Sequence, residues 1–331
     1  MIFFIVVLRT LAACLITNSH YIGIYPTDII ANGGLIGDVL FFAVSGYCLF
    51  NVKKSFPSWY GKRLVRVYTP VLLITALYFI LGVYTFSGEQ NFLWWFVYPT
   101  GYHFIGSIVL LYIPFWFVGK FEWLRNRLGW IMGFVAVAYV VVYIFFYDKS
   151  YYHIDNVREW MIRFLFFESM LLGAYFKKNE EKFQNKFHWW IPVITVIAFA
   201  IYFASKLFFS KYSAYSDWQI VNQLLIFMLL FFVFWLFASL DEKLEKLPKW
   251  IKKTISFIAD MTLEIYVVQS VLIEWIRLYF GFPLNWLTIT MGIITTAFIL
   301  HFICKYLIQG MEWCIEKIKA MFQKSKEEKT E

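Results

Sequence analysis

The sequence predicts an all-α integral membrane protein with about ten transmembrane helices and both termini in the cytoplasm. Three observations predict it. Of its 331 residues, 61% are hydrophobic and 23% aromatic, and mean hydropathy is +0.63; a soluble domain is about 45–50% apolar. Ten apolar runs approach the roughly 20 residues that cross a bilayer. The connections between them alternate between basic and nearly uncharged.

The runs fall at roughly 1–19, 34–51, 66–85, 103–119, 129–147, 158–177, 188–208, 218–239, 256–278 and 286–308. After the second, fourth, sixth and eighth come "KKSFPSWYGKRLVR", "GKFEWLRNR", "KKNEEKFQNK" and "DEKLEKLPKWIKK". The intervening connections, "TFSGEQ" and "GFPLN" among them, hold little Lys or Arg. Basic connections stay in the cytoplasm, so every basic segment puts both termini inside. Residues 1–310 then form one membrane domain. Residues 311–331 form a tail that starts as an amphipathic helix on the inner leaflet and ends polar.

The net charge of +8 sits in short clusters between apolar runs, not on one exposed face, and so signals topology and not nucleic acid. Cys14, Cys48, Cys304 and Cys314 form no CxxC pair, and the five histidines show no HxxxH spacing. Neither a disulfide framework nor a metal site is expected. "LAAC" at 11–14 resembles a lipoprotein cleavage box, but no charge precedes Arg9 and Arg9 interrupts the apolar run, so an uncleaved first span is expected.

Three stretches carry chemistry. In "RTLAACLITNSH", Arg9 and His20 are eleven residues apart, close to three helical turns, which puts both on one face roughly 16 Å apart along the axis. An ionisable side chain inside a membrane helix costs at least about 2.5 kcal/mol on insertion scales and needs a partner, water or a task. Taken singly, Arg9 reads as a snorkelling anchor and His20 as an interfacial cap; sharing a face, they read as functional. In "GGLIGDVLFFAVSGYCLF", Gly34, Gly37 and Gly46 admit another backbone or a ligand, Ser45 can donate a hydrogen bond there, and Asp38 is placed to orient His20. In "KRLVRVYTP", Arg63 and Arg66 are i,i+3 neighbours suited to phosphates.

These stretches, in this order, resemble the acyltransferase-3 family of integral membrane acyltransferases. That family shows Arg, ten residues and His in its first span, then a GxxGV-D-x-FF-x-x-SG stretch, then an RxxR-x-x-P element. "MTLEIYVVQS", 261–270, is similar to the family's late S-Y-x-x-Y-L-x-H segment in the form seen in capsule and exopolysaccharide acetyltransferases. Two positions depart. Asp38 precedes Val39 where the family's acid follows the valine, and Gln269 stands where many members have His. Glu168 and Glu264 lie inside expected spans and need partners, Arg9 being a candidate for either.

The resemblance implies O-acyl transfer, most simply acetyl from cytoplasmic acetyl-CoA, to a hydroxyl of a cell-surface polysaccharide or its lipid-linked precursor. The place would be a bacterial plasma membrane. His20 would be the general base, with Arg9 holding the donor and Asp38 beside the histidine. Arg63, Arg66, Ser45 and Gly46 would bind acyl-CoA, without metal. Tyr21, Tyr25 and Trp94 near the outer ends suit either sugar stacking or an interfacial belt. A polysaccharide exporter is the rival; it predicts paired broken helices in internal repeats, which the sequence does not show. A polymerase would need a long outer loop.

Overall fold

The computed structural model describes residues 2–98 and 101–327, with side chains as far as Trp313. Helix dominates, and among the described residues the only β feature is an isolated bridge between Ser87 and Gln90. The helices are α1 (Phe3–Ser19), α2 (Gly34–Leu49), α3 (Phe56–Ile80), α4 (His103–Lys120), α5 (Glu122–Asn126), α6 (Leu128–Phe146), α7 (Ile162–Lys178), α8 (Glu180–Phe183), α9 (Trp190–Lys211), α10 (Ile220–Ser239), α11 (Asp241–Glu245), α12 (Lys249–Asp260), α13 (Thr262–Ile276) and α14 (Leu284–Glu327).

A helix thus occupies each of the ten expected segments. By length and apolar composition, six described helices suffice to cross a membrane: α3, α4, α6, α9, α10 and α14 as far as Trp313. The bent pair α12–α13 makes a seventh if counted as one span. The helices α1 and α2, of 17 and 16 residues, are apolar but shorter.

Three boundaries differ from the sequence reading. The third helix starts at Phe56, not 66, because Pro57 suits a first turn; it ends before Gly82, whose φ of +70° breaks the helix. The ninth run is two helices meeting at 70°, with the hydroxyl of Thr262 donating to the carbonyl of Ala259 at the corner (2.7 Å). Helix α12 is strongly amphipathic, so it follows an interface and does not continue α13. The boundary expected at 310/311 falls inside α14, whose backbone runs on unbroken. The side chains that would form the tail's amphipathic face lie outside the described residues, apart from its first three.

Packing centres on α2, which lies along α7 and α1. Glycines let the backbones meet. A Cβ on Gly46 would come within 1.9 Å of the Met170 carbonyl oxygen, and one on Gly173 within 1.8 Å of that of Ala43. Phe42 stacks on Phe166 at 4.3 Å in the same seam. By contrast α6 and α9 leave most of their apolar side chains uncovered, Trp130, Phe134 and Val196 among them. In water that would be an aggregation surface; in hydrocarbon it is the outer face of a bundle.

Candidate active site

The site is built along one stripe of α1. Arg9, Ala13, Ile16 and His20 follow one another at helical spacings of four, three and four. Between the two ionisable residues the stripe borders a crevice walled by Ala13, Ile16 and Thr17 of α1, Phe41 of α2, and Tyr266 and Gln269 of α13. Its free space is about 10 Å³, room for one water at most. The hydroxyl of Thr17 donates to Gln269 Oε1 (2.8 Å), leaving the Gln269 amide nitrogen buried without a hydrogen bond.

At the Arg9 end, α3 brings Arg63 and Arg66 beside α1. Arg9 and Arg63 both lie within electrostatic reach of Arg66. Arg63 lies over the Trp59 ring at 5.6 Å, and its Nε is buried without a hydrogen bond. Among the described residues no carboxylate lies within ion-pair distance of any of the three. Glu264, one of the two acids expected to pair with Arg9, meets His301 of α14 instead, Oε1 to Nδ1 at 3.0 Å. Glu168 makes no ion pair, and its Oε1 is buried without a hydrogen bond. The result is a cluster of three guanidiniums that no described carboxylate contacts directly, with Asp260 and Glu264 within electrostatic reach of Arg9.

Helix α2 divides the two donor residues expected on it. Ser45 shares the partly open stripe Phe41, Ser45, Cys48, which leads from the crevice towards the arginines. Cys48 lies within reach of Arg9, Arg66 and Arg63, and of Lys177, which is already paired with Glu180 at 2.5 Å. Gly46 is turned about 100° from Ser45 and is filled by α7; its place is in packing and leaves no room for a ligand.

His20 caps α1 at the far end. Its backbone N–H donates to the Thr17 carbonyl (3.0 Å), and its exposed ring has no hydrogen-bond partner. The protein around it desolvates the imidazole, which lowers its pKa from the ordinary 6.5 and keeps the ring neutral at pH 7. The expected pairing of His20 with Asp38 is not formed. Asp38 is 4% exposed and turned into the bundle, within electrostatic reach of Tyr202 and Tyr266, as its position one residue before that of the family pattern foreshadows. The aromatic residues are also engaged: Tyr21 bonds Thr290 (2.9 Å) and Tyr25 donates to Asn18 (2.8 Å), while Trp94 sits in a short π-helical turn, Leu93–Val97.

Beside His20 the surface opens into a cleft of about 410 Å³, walled by Ser19, Ile22, Asp28, Asn32, Asp155 and Lys206, among others. Asp155, in the connection between α6 and α7, accepts hydrogen bonds from Tyr152, from Asn222 Nδ2 (2.7 Å) and from Gln223 Nε2 (2.6 Å). Lys206 donates to Asn32 Oδ1 (3.0 Å). Nothing in the local sequence announces this network, because its members come from four separate parts of the chain.

No curated protein and no solved structure matches the chain significantly. One protein-family model does, that of the acyltransferase-3 family, described as an acyltransferase domain, over residues 2–307. The match spans nearly the whole chain, including the Arg9–His20 stripe, the glycine-rich α2 and the paired arginines of α3: this multi-pass membrane protein belongs to the acyltransferase-3 family and is an acyltransferase.

Proposed function

We propose that the protein is an O-acetyltransferase of a bacterial plasma membrane. It takes its acyl group from acetyl-CoA at the arginine end of α1 and delivers it to a carbohydrate hydroxyl at the His20 end. The acceptor is a surface polysaccharide or its lipid-linked precursor. The observation that carries this reading is the group Arg9, Arg63 and Arg66, with which no described carboxylate forms an ion pair, Arg9 standing on the α1 stripe that ends at His20 and Arg63 and Arg66 on α3. Guanidiniums without carboxylate partners suit a polyanion, and planar forks suit phosphate oxygens. CoA carries such phosphates and is cytoplasmic, which agrees with the basic connections lying on the same side.

The chemistry follows from the two ends. His20, neutral at pH 7, takes the proton of the acceptor hydroxyl. The hydroxyl oxygen attacks the thioester carbonyl, the carbon–sulfur bond breaks, and CoA leaves as the thiolate, which takes a proton from solvent while His20 returns its proton to solvent. Ser45, on the partly open stripe of α2, donates a hydrogen bond to the acyl donor in this reading. Donor binding must part α1 from α13, since the crevice between them now holds one water at most.

The test uses purified full-length protein with acetyl-CoA and a polysaccharide acceptor. Replacing Arg63 and Arg66 together by alanine is expected to raise the KM for acetyl-CoA at least tenfold, with a smaller change in kcat. An unchanged KM would leave the two arginines as topology signals. Absence of acetyl transfer by the wild type to any hydroxyl acceptor would sink the reading.

A further inference from the structure

Glu264 is an acid that Arg9 could pair with and does not. It stands in the first turn of α13, just past the 70° corner with α12. It is 7% exposed, and Arg9 lies within its electrostatic reach. Opposite charges so placed attract each other more strongly than they would in water, because the protein screens them less. Even so, no ion pair within 4.0 Å joins them.

The side chain that holds the acid comes from another helix. His301 of α14 meets Glu264 Oε1 with its Nδ1 at 3.0 Å. With the proton on Nδ1, the ring donates to the carboxylate. Cys304, one turn further along α14 and 3% exposed, is also within reach of Glu264, so the acid faces α14. The open N–H groups of the first turn of α13 favour a carboxylate there as well. The crevice between α1 and α13 is walled by the neighbours Leu263 and Ile265, and not by Glu264. Released from α14, the carboxylate would compete with an incoming phosphate for the same guanidinium.

We propose that His301 is a positioning residue for donor binding: it holds Glu264 against α14 and so keeps Arg9 open to a polyanion. The proposal rests on the reading of Arg9 as a donor-binding residue. It differs from a purely structural pair, in which two polar groups inside the membrane only satisfy each other. A structural pair loses by removal of either member. A guarded arginine loses when His301 goes and recovers when Glu264 goes too.

The experiment is calorimetric titration of CoA into the detergent-solubilised full chain, with a thermal melt of every variant. His301→Ala is expected to weaken CoA about tenfold. Glu264→Gln should bind at least as tightly as the wild type, and the double variant His301→Ala/Glu264→Gln should return to within about threefold of it. His301→Gln, whose amide can still donate to the carboxylate, should bind like the wild type. Asp260→Asn, which removes the other acid within reach of Arg9, should leave the His301→Ala loss in place. If His301→Ala melts without a transition, His301→Phe, which keeps a ring and lacks the donor, takes its place. Wild-type affinity in His301→Ala, equal losses in the two single variants, a double variant as weak as His301→Ala, or rescue by Asp260→Asn would each overturn the proposal. Wild-type protein that binds no CoA overturns the donor reading and this inference with it. Protein that binds CoA and transfers acetyl but shows no suppression sinks this inference alone. Protein that shows the suppression yet never transfers acetyl sinks the function alone.

Discussion

His20 has an exposed ring with no hydrogen-bond partner and a pKa held below 6.5 by desolvation. A base in that state is ready at neutral pH, and lowering the pH removes it by protonation. The sign follows: kcat/KM for acceptor should be flat near pH 7 and fall on the acid side, with a midpoint below 6.5. His20→Ala should lose transfer by about 10²–10⁴ while acetyl-CoA still binds. An acid limb centred above 6.5, or a His20→Ala enzyme working at the wild-type rate, would return His20 to an interfacial cap. At the same scale, Arg9 shows how a charge is kept available. Glu264, within electrostatic reach of the guanidinium, is bonded to His301, so Arg9 is left without a direct ion pair among the described residues.

Among the elements, the α2–α7 seam is where a single atom matters most. Gly46→Ala would force a methyl to within 1.9 Å of a backbone carbonyl oxygen, which no side-chain rotation relieves. Overpacking of this kind costs about 1–3 kcal/mol or more, so the thermal midpoint in detergent should fall by several degrees. Gly129→Ala, with no atom within 4 Å of the new Cβ on α6, should leave it unchanged. Equal melts for the two variants would contradict the seam. The seam also marks what the sequence could tell. The Arg9–His20 stripe and the Arg63–Arg66 pair were legible because helical periodicity is local: eleven or three residues fix a face whatever the fold. The Glu264–His301 pair and the Asp155 network were not, since their partners lie 37 residues apart in the first and 67 and 68 in the second. Periodicity says which face a residue is on, not which helix that face meets. The same limit hid the role of Gly46: close approach was legible, but not whether a ligand or α7 would make it.

For the whole molecule, the alternation of basic and uncharged connections predicts both ends in the cytoplasm. An enzymatic reporter fused after Glu331 should be active only inside the cell, and activity outside would reverse the donor and acceptor ends. Helix α14 extends this picture. Its 44 residues span about 66 Å, more than twice the hydrocarbon core of about 30 Å. The narrow crevice between α1 and α13 bears on the membrane itself. Ions and protons leak along files of water, and a gap that holds one molecule supports no file. On the proposed reading, an acyl group would then pass between the two sides of the membrane without opening a leak for the voltage across it.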